Sequence, residues 1–196
     1  MVLYARGDRQ MDAEAAELKV LDTAERLFDE RGVQAVGMDA LRTASGVSLK
    51  RLYQLFPSKD VLVEAVLRRR DGAVRDALAA HGARVADGPY ERALAVFDWL
   101  GSWFAEPGFR GCAFINTFGE LGGVAPNVTT LARDHKEALR AYLAAQTDAL
   151  GAPPALADQL ALLANGAMVV AGITGSPEPA AQAKAAARVL LDAAAR

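Results

Sequence analysis

Lys50, Arg51, Tyr53 and Gln54 bring two cations, a phenol and an amide into one short stretch. Each can donate to phosphate oxygens or base edges, and an Arg or Gln can also grip guanine or adenine with two bonds at once. Elsewhere reactive chemistry is sparse. The chain has two histidines, His81 and His135, and one cysteine, Cys112. No Cys or carboxylate cluster offers metal-ligand spacing, so no metal is expected. Cys112 and His135 could serve an all-helical enzyme as nucleophile and base, but nothing in the sequence links them. A thiol sensor at Cys112 would need an exposed, electropositive setting. No GxGxxG follows a strand and no phosphate loop is present. The reading is therefore no enzyme, no catalytic residue and no cofactor.

The four donors need a rigid mount, and the residues around them supply one. Gly46-Val47-Ser48 separates two short helical patterns. Gly46 can take the left-handed conformation that ends a helix, Ser48 can cap the next, and Val47 plugs the angle between them. In the second helix, roughly 49–56, Leu52, Leu55 and Phe56 point inward and leave the four donors outside. Pro57 stops it, and Ser58 caps a further helix with Lys59 near its start, where free backbone N–H groups favour an anion. This is the construction of a helix-turn-helix, whose second helix enters a DNA major groove.

The run SGVSLKRLYQLFPSKDVLVEAV resembles the DNA-binding signature of the TetR family of bacterial transcriptional repressors, whose usual form is close to AAGVSxxxLYxYFPSKxxLxxA. Gly46, Val47, Ser48, Leu52, Tyr53, Phe56, Pro57, Ser58, Lys59 and Leu62 match in register. The resemblance implies an all-α chain with an N-terminal three-helix DNA-binding domain and a C-terminal helical ligand-binding and dimerisation domain. It implies operator contacts by Ser48, Lys50, Arg51, Tyr53, Gln54 and Lys59, with Tyr53 and Lys59 on phosphates. Two departures stand out. Where the family commonly has a Thr capping helix 2, this chain has Val36-Gly37, and Leu49-Lys50-Arg51 is bulkier and more basic than the usual start of the recognition helix. The operator sequence cannot be borrowed from relatives.

Bulk properties agree. With 196 residues, 52% of them apolar, the chain can bury a sizeable core without staples. Net charge is −2, yet from Leu41 to Arg75 eight cations face three acids, a local basic footprint. Within it, Arg68-Arg69-Arg70 fan around a helix, either as a solvated face or as extra phosphate contacts. The single cysteine excludes an internal disulfide and fits a reducing compartment. No apolar run approaches the length of a membrane span and the N-terminus lacks a signal-peptide core, so the cytoplasm is the expected compartment.

In chain order, residues 1–12 form a flexible arm, 13–58 the DNA-binding domain and 59–196 the effector-binding and dimerisation domain. Helix 1 should run from Asp12 to Arg31 with Leu18, Leu21, Ala24, Leu27 and Phe28 as its apolar stripe. Helix 4 should run from Lys59 to about Ala80. After Gly88-Pro89, a helix over Tyr90–Ala105 carries Trp99 and Trp103. The GCxFxN segment around Cys112 resembles a pattern in the ligand domains of one large TetR subgroup. By that resemblance Asn116, Thr117 and Glu120 supply polar handles among Trp99, Trp103, Phe114 and Phe118 for a small, mostly apolar effector. A longer helix follows over 128–150, then two small-residue-rich helices over 155–173 and 178–195. In the family this last pair meets its symmetry mate, so a homodimer reading double-stranded palindromic DNA is expected. Asn165 either fixes register there or reaches a ligand. Repression relieved by the effector is the expected logic, with an activator or effector-independent regulator as the alternative.

Overall fold

The computed structural model describes residues 4–85 and 87–194, with side chains from residue 13 onward. The described residues form α1 (Tyr4–Arg31), α2 (Met38–Ser45), α3 (Leu49–Leu55), α4 (Lys59–Val85), α5 (Pro89–Phe104), α6 (Ala113–Leu121), α7 (Pro126–Ala149), α8 (Ala155–Thr174) and α9 (Glu178–Ala194). The chain is all-helical, as expected. The backbone of residues 4–12 continues α1 toward the N-terminus. The rest of the expected arm, residues 1–3 and the side chains through Asp12, lies outside the described residues.

Helices α1 to α3 close over a small core in which Val20, Leu21, Leu27, Val36, Leu41, Leu52 and Phe56 are buried. The stripe on α1 differs by one residue from the expected one. Leu18 is more than half exposed, and Val20 takes the buried position beside Leu21, Ala24, Leu27 and Phe28. Val36 is fully buried and Gly37 caps α2 with an extended backbone and no side-chain bond. The residue that departs from the family pattern therefore serves as core.

Helix α4 is one uninterrupted element of 27 residues, longer than expected, which starts under the recognition unit and ends beside α5 and α7. Its arginines brace it. Arg68 pairs with Glu64 of its own helix, Arg69 with Asp22 of α1, and Arg70 with Asp29 at 2.7 Å and Glu25 at 3.6 Å. Burial opposes the Arg70 charge, but the Asp29 carboxylate more than restores it. Neither reading of this triplet describes all three residues, since two of them tie α4 to α1.

The second domain packs α5, α7, α8 and α9 around one another, with α6 laid against α7. Helix α8 alone among the described helices is long and apolar enough to cross a membrane by length and composition, although no unbroken apolar run of that length occurs in it and one face is packed in the core. The apolar character comes from two opposite faces. One buries Leu156, Leu160, Ala164, Ala167, Met168 and Ala171; the other leaves Leu162, Val169, Val170 and Ile173 exposed, with Ile173 at 80%. Asn165 donates to the Ala161 carbonyl at 2.8 Å, and its buried side-chain oxygen has no hydrogen-bond partner among the described residues.

Candidate nucleic-acid interface and effector cavity

The turn between α2 and α3 forms as its residues dictate. Gly46 has φ 66° and ψ 11°, and its N–H donates to the Arg42 carbonyl at 2.9 Å. A side chain there would strain the left-handed backbone. Val47 is buried and donates its N–H to Ser45 Oγ at 3.2 Å. Ser48 Oγ accepts from the Arg51 N–H at 3.3 Å, which satisfies one orphan donor of the first turn. Leu52 at 0% exposure and Phe56 at 3% anchor the inner face. Lys50, Tyr53 and Gln54 are exposed, Arg51 and Leu55 half-buried. The Arg51 guanidinium lies 3.5 Å from Gln54 Oε1, which aligns a fork and an amide on the outer face.

Lys59 is placed less simply. Its ammonium lies 3.4 Å from the Gln34 carbonyl oxygen in the α1–α2 loop. Burial holds its pKa below the usual lysine value, against the opposing pull of Glu120 and Asp60. Ser58 Oγ caps α4 by accepting from the Val61 N–H at 3.2 Å.

Glu120 does not turn toward the aromatic residues. Its carboxylate reaches the same α1–α2 loop and accepts from the N–H groups of Val33 at 3.0 Å and Gln34 at 2.7 Å, while Gln34 Nε2 donates back to the Glu120 carbonyl at 2.6 Å. Gly32 leaves room for this approach, since a Cβ there would come within 2.9 Å of Glu120 Oε1. The end of α6 is thereby latched to the recognition domain. Asn116 also faces elsewhere and donates to the Arg110 carbonyl at 3.0 Å.

The six residues expected around an effector therefore separate. Trp99 and Trp103, stacked with centroids 5.4 Å apart, line a cavity of about 370 Å³ between α4, α5, α7 and α8. Phe114 and Phe118 line a different, shallower apolar depression of about 310 Å³ between α6 and α7. The 370 Å³ cavity is otherwise walled by Leu78, Val96, Leu100, Leu139 and Met168, with Arg75, Asp76, His135 and Tyr142 as polar groups. Burial pushes the Tyr142 phenol above its usual pKa, against the influence of Arg92. A Cβ on Gly82 would come within 2.3 Å of Tyr142 Oη, so the glycine makes room for that ring. The polar residues of this wall had a legible signal. His135, Ala138, Leu139 and Tyr142 recur at helical spacing and fall on one face of α7.

Three comparisons bear on identity. The family profile described as "Bacterial regulatory proteins, tetR family" matches residues 20–66, which hold the turn and the recognition helix. Among solved structures, a TetR-family transcriptional regulator from Streptomyces coelicolor superposes with a TM-score of 0.86 at 26% identity, over 92% of this chain and 96% of that one. A putative TetR-type regulator from Streptomyces avermitilis is 34% identical over 91% of this chain and 97% of its own, with a TM-score of 0.79. An uncharacterized HTH-type transcriptional regulator of Mycobacterium tuberculosis is 39% identical over 56 residues, 29% of this chain. That match spans 28% of the length of this curated relative. With an S. avermitilis relative at that identity along nearly its whole length, and the signature seated on a capped recognition helix, the chain belongs to the TetR family of bacterial transcriptional regulators.

Proposed function

We propose that the protein is a ligand-responsive transcriptional repressor, acting as a homodimer on a palindromic operator in the cytoplasm and released by a small, mostly apolar effector. The observation that carries this reading is the outer face of α3, where Lys50, Tyr53 and Gln54 stand exposed on a helix whose cap and inner face are rigid. Arg51 and Gln54 read base edges, Lys50 and Tyr53 hold phosphates, and Lys59 reaches the backbone after leaving the Gln34 carbonyl. The second copy docks through α8 and α9, whose exposed Leu162, Val169, Val170, Ile173 and Val189 form an unpartnered apolar surface. The effector occupies the 370 Å³ cavity, a size and lining suited to a small molecule. Its arrival shifts α4, and the coupling required is about 1–3 kcal/mol.

The test is fluorescence anisotropy on DNA upstream of the protein's own gene, across a salt series. Tight binding that exceeds a scrambled control and weakens steeply with salt is expected. Tyr53→Ala should weaken operator and random DNA alike, whereas Arg51→Ala should cost the operator about 1–3 kcal/mol more than random DNA. Equal losses on both DNAs for both variants would sink this division of labour. Because the chain's two tryptophans both line the cavity, their fluorescence reports its occupancy directly.

A further inference from the structure

Cys112 is buried at 3% exposure, yet its surroundings are not those of a packing residue. It sits at the N-cap of α6. The Lys136 ammonium lies 3.3 Å from its sulfur. The adjacent His135 meets Asp71 Oδ1 through Nδ1 at 2.6 Å, its ring stacks on Phe114 at 3.8 Å, and it also acts on the Cys112 thiol. Asp71 is held in turn by Arg75 at 2.7 Å. Residues 71, 112 and 135 come from α4, the head of α6 and α7, so an Asp–His–Cys array is assembled only in the fold. Arg70, also on α4, adds a further nearby positive charge.

Burial alone would push the Cys112 thiol up. The His135 ring, the Lys136 ammonium and the Ile115 N–H overcome it and lower the thiol to about 6. An inert buried thiol has no use for a lysine on its sulfur and an oriented histidine beside it; a nucleophile uses both. Lys136 and Phe114 also belong to the wall of the apolar 310 Å³ depression between α6 and α7, and His135 to the wall of the larger cavity. Lys136 is half-buried and touches both the sulfur and that depression, so it joins the two.

We propose that Cys112 is a covalent sensing site, a nucleophilic sulfur served by His135 and Lys136 that captures small α,β-unsaturated carbonyl compounds entering from the depression between α6 and α7. The carbon skeleton packs on Phe114 and Phe118, and the carbonyl oxygen takes the Lys136 ammonium as donor. His135 takes the thiol proton. The sulfur attacks the β-carbon, a C–S bond forms, and the C=C π electrons move to the carbonyl oxygen as an enolate. The proton held by His135 is then delivered to the α-carbon, leaving a saturated thioether and no net change in oxidation state. The adduct does not fit the space around a sulfur that is 3% exposed, so the head of α6 must move. The far end of the same nine-residue helix carries the Glu120 latch to Val33 and Gln34. Capture at one end therefore loosens the recognition domain at the other.

This inference rests on the ligand-responsive reading above, and its test separates the two. The full chain is treated with cyclohex-2-enone, followed by peptide-mapping mass spectrometry and by anisotropy on operator DNA. One adduct on Cys112 is expected, with operator affinity reduced about tenfold or more. Its rate should hold nearly level from pH 8 to pH 7 and drop below about pH 6, where an ordinary thiol already loses about tenfold per pH unit below its own pKa near 8.5. Cys112→Ser should bind operator like the parent and resist the enone. Lys136→Met should move the pH midpoint toward the ordinary thiol value, with Lys136→Arg restoring it. Modification of Cys112 only after unfolding in urea, or an adduct that leaves DNA affinity unchanged, would overturn the proposal while leaving reversible effector control standing. A chain with no operator preference would instead fail the repressor reading, and the adduct and its pH profile would still decide the site.

Discussion

On the α8–α9 dimer proposed above, Ile173→Asp is expected to give a monomer and to remove at least 100-fold of the operator affinity, on the order of 3 kcal/mol. The side chain is 80% exposed in the single chain, on the face of α8 that also carries Leu162, Val169 and Val170. The substitution therefore leaves the monomer's own core intact, and its helical circular dichroism should be unchanged. In a two-fold interface the carboxylate appears twice, each without a partner. At about 3 kcal/mol for an unpaired buried charge, the two together remove about 6 kcal/mol. That is about four orders of magnitude in the dimer dissociation constant. A monomer offers one recognition helix to a site built for two. Sedimentation or light scattering reads the first effect and anisotropy the second. A variant that remains dimeric would place the interface elsewhere.

Glu120→Ala is expected to lower the melting temperature by about 4–8 °C, from about 2 kcal/mol of lost stabilisation. Its carboxylate accepts two backbone N–H bonds, at 3.0 and 2.7 Å, from a loop 86 or more residues away. Bonds to an ionised acceptor are the stronger kind, and water can replace only part of them because Val33 is buried. The loss should be local as well as global. Amide hydrogen exchange at Val33 and Gln34 should rise, and Lys59, which rests on the Gln34 carbonyl, should become more mobile. Glu120→Gln keeps a neutral acceptor and should recover about half the loss. Unchanged exchange in the alanine variant would show that the loop does not depend on the latch.

The helix-turn-helix was legible because its determinants are local. A glycine needing a left-handed backbone, a serine cap and a proline stop act over a few residues, so Gly46, Ser48 and Pro57 mark boundaries wherever they occur. The later helices begin and end within a few residues of where their breakers place them. What depends on distant pairing was not legible. Glu120 reads as a polar handle among aromatics, and nothing in its neighbourhood announces Val33 and Gln34. Arg69 and Arg70 read as a solvated run because their carboxylate partners lie on α1, some 40 residues back. The same holds for Asp71, His135 and Cys112, which no spacing connects and which only the packing of α4, α6 and α7 brings together. Helix α8 was legible in its bounds, 155–173 expected against Ala155–Thr174 observed, but its mean apolarity was not, because the polar Asp158 and Asn165 interrupt it.

Helix α4 has a mechanical consequence of its own. At 27 residues and about 1.5 Å per residue it is about 40 Å long, and its salt bridges to α1 make it move with the recognition domain. A tilt of about 3° at the cavity end carries the other end through about 2 Å. Hydrogen bonds to DNA are made or lost over about 0.5 Å. On the ligand response proposed above, a tilt of a few degrees at the cavity is therefore enough to cost register on the duplex, and the sensitivity of the response is set by the length of one rod.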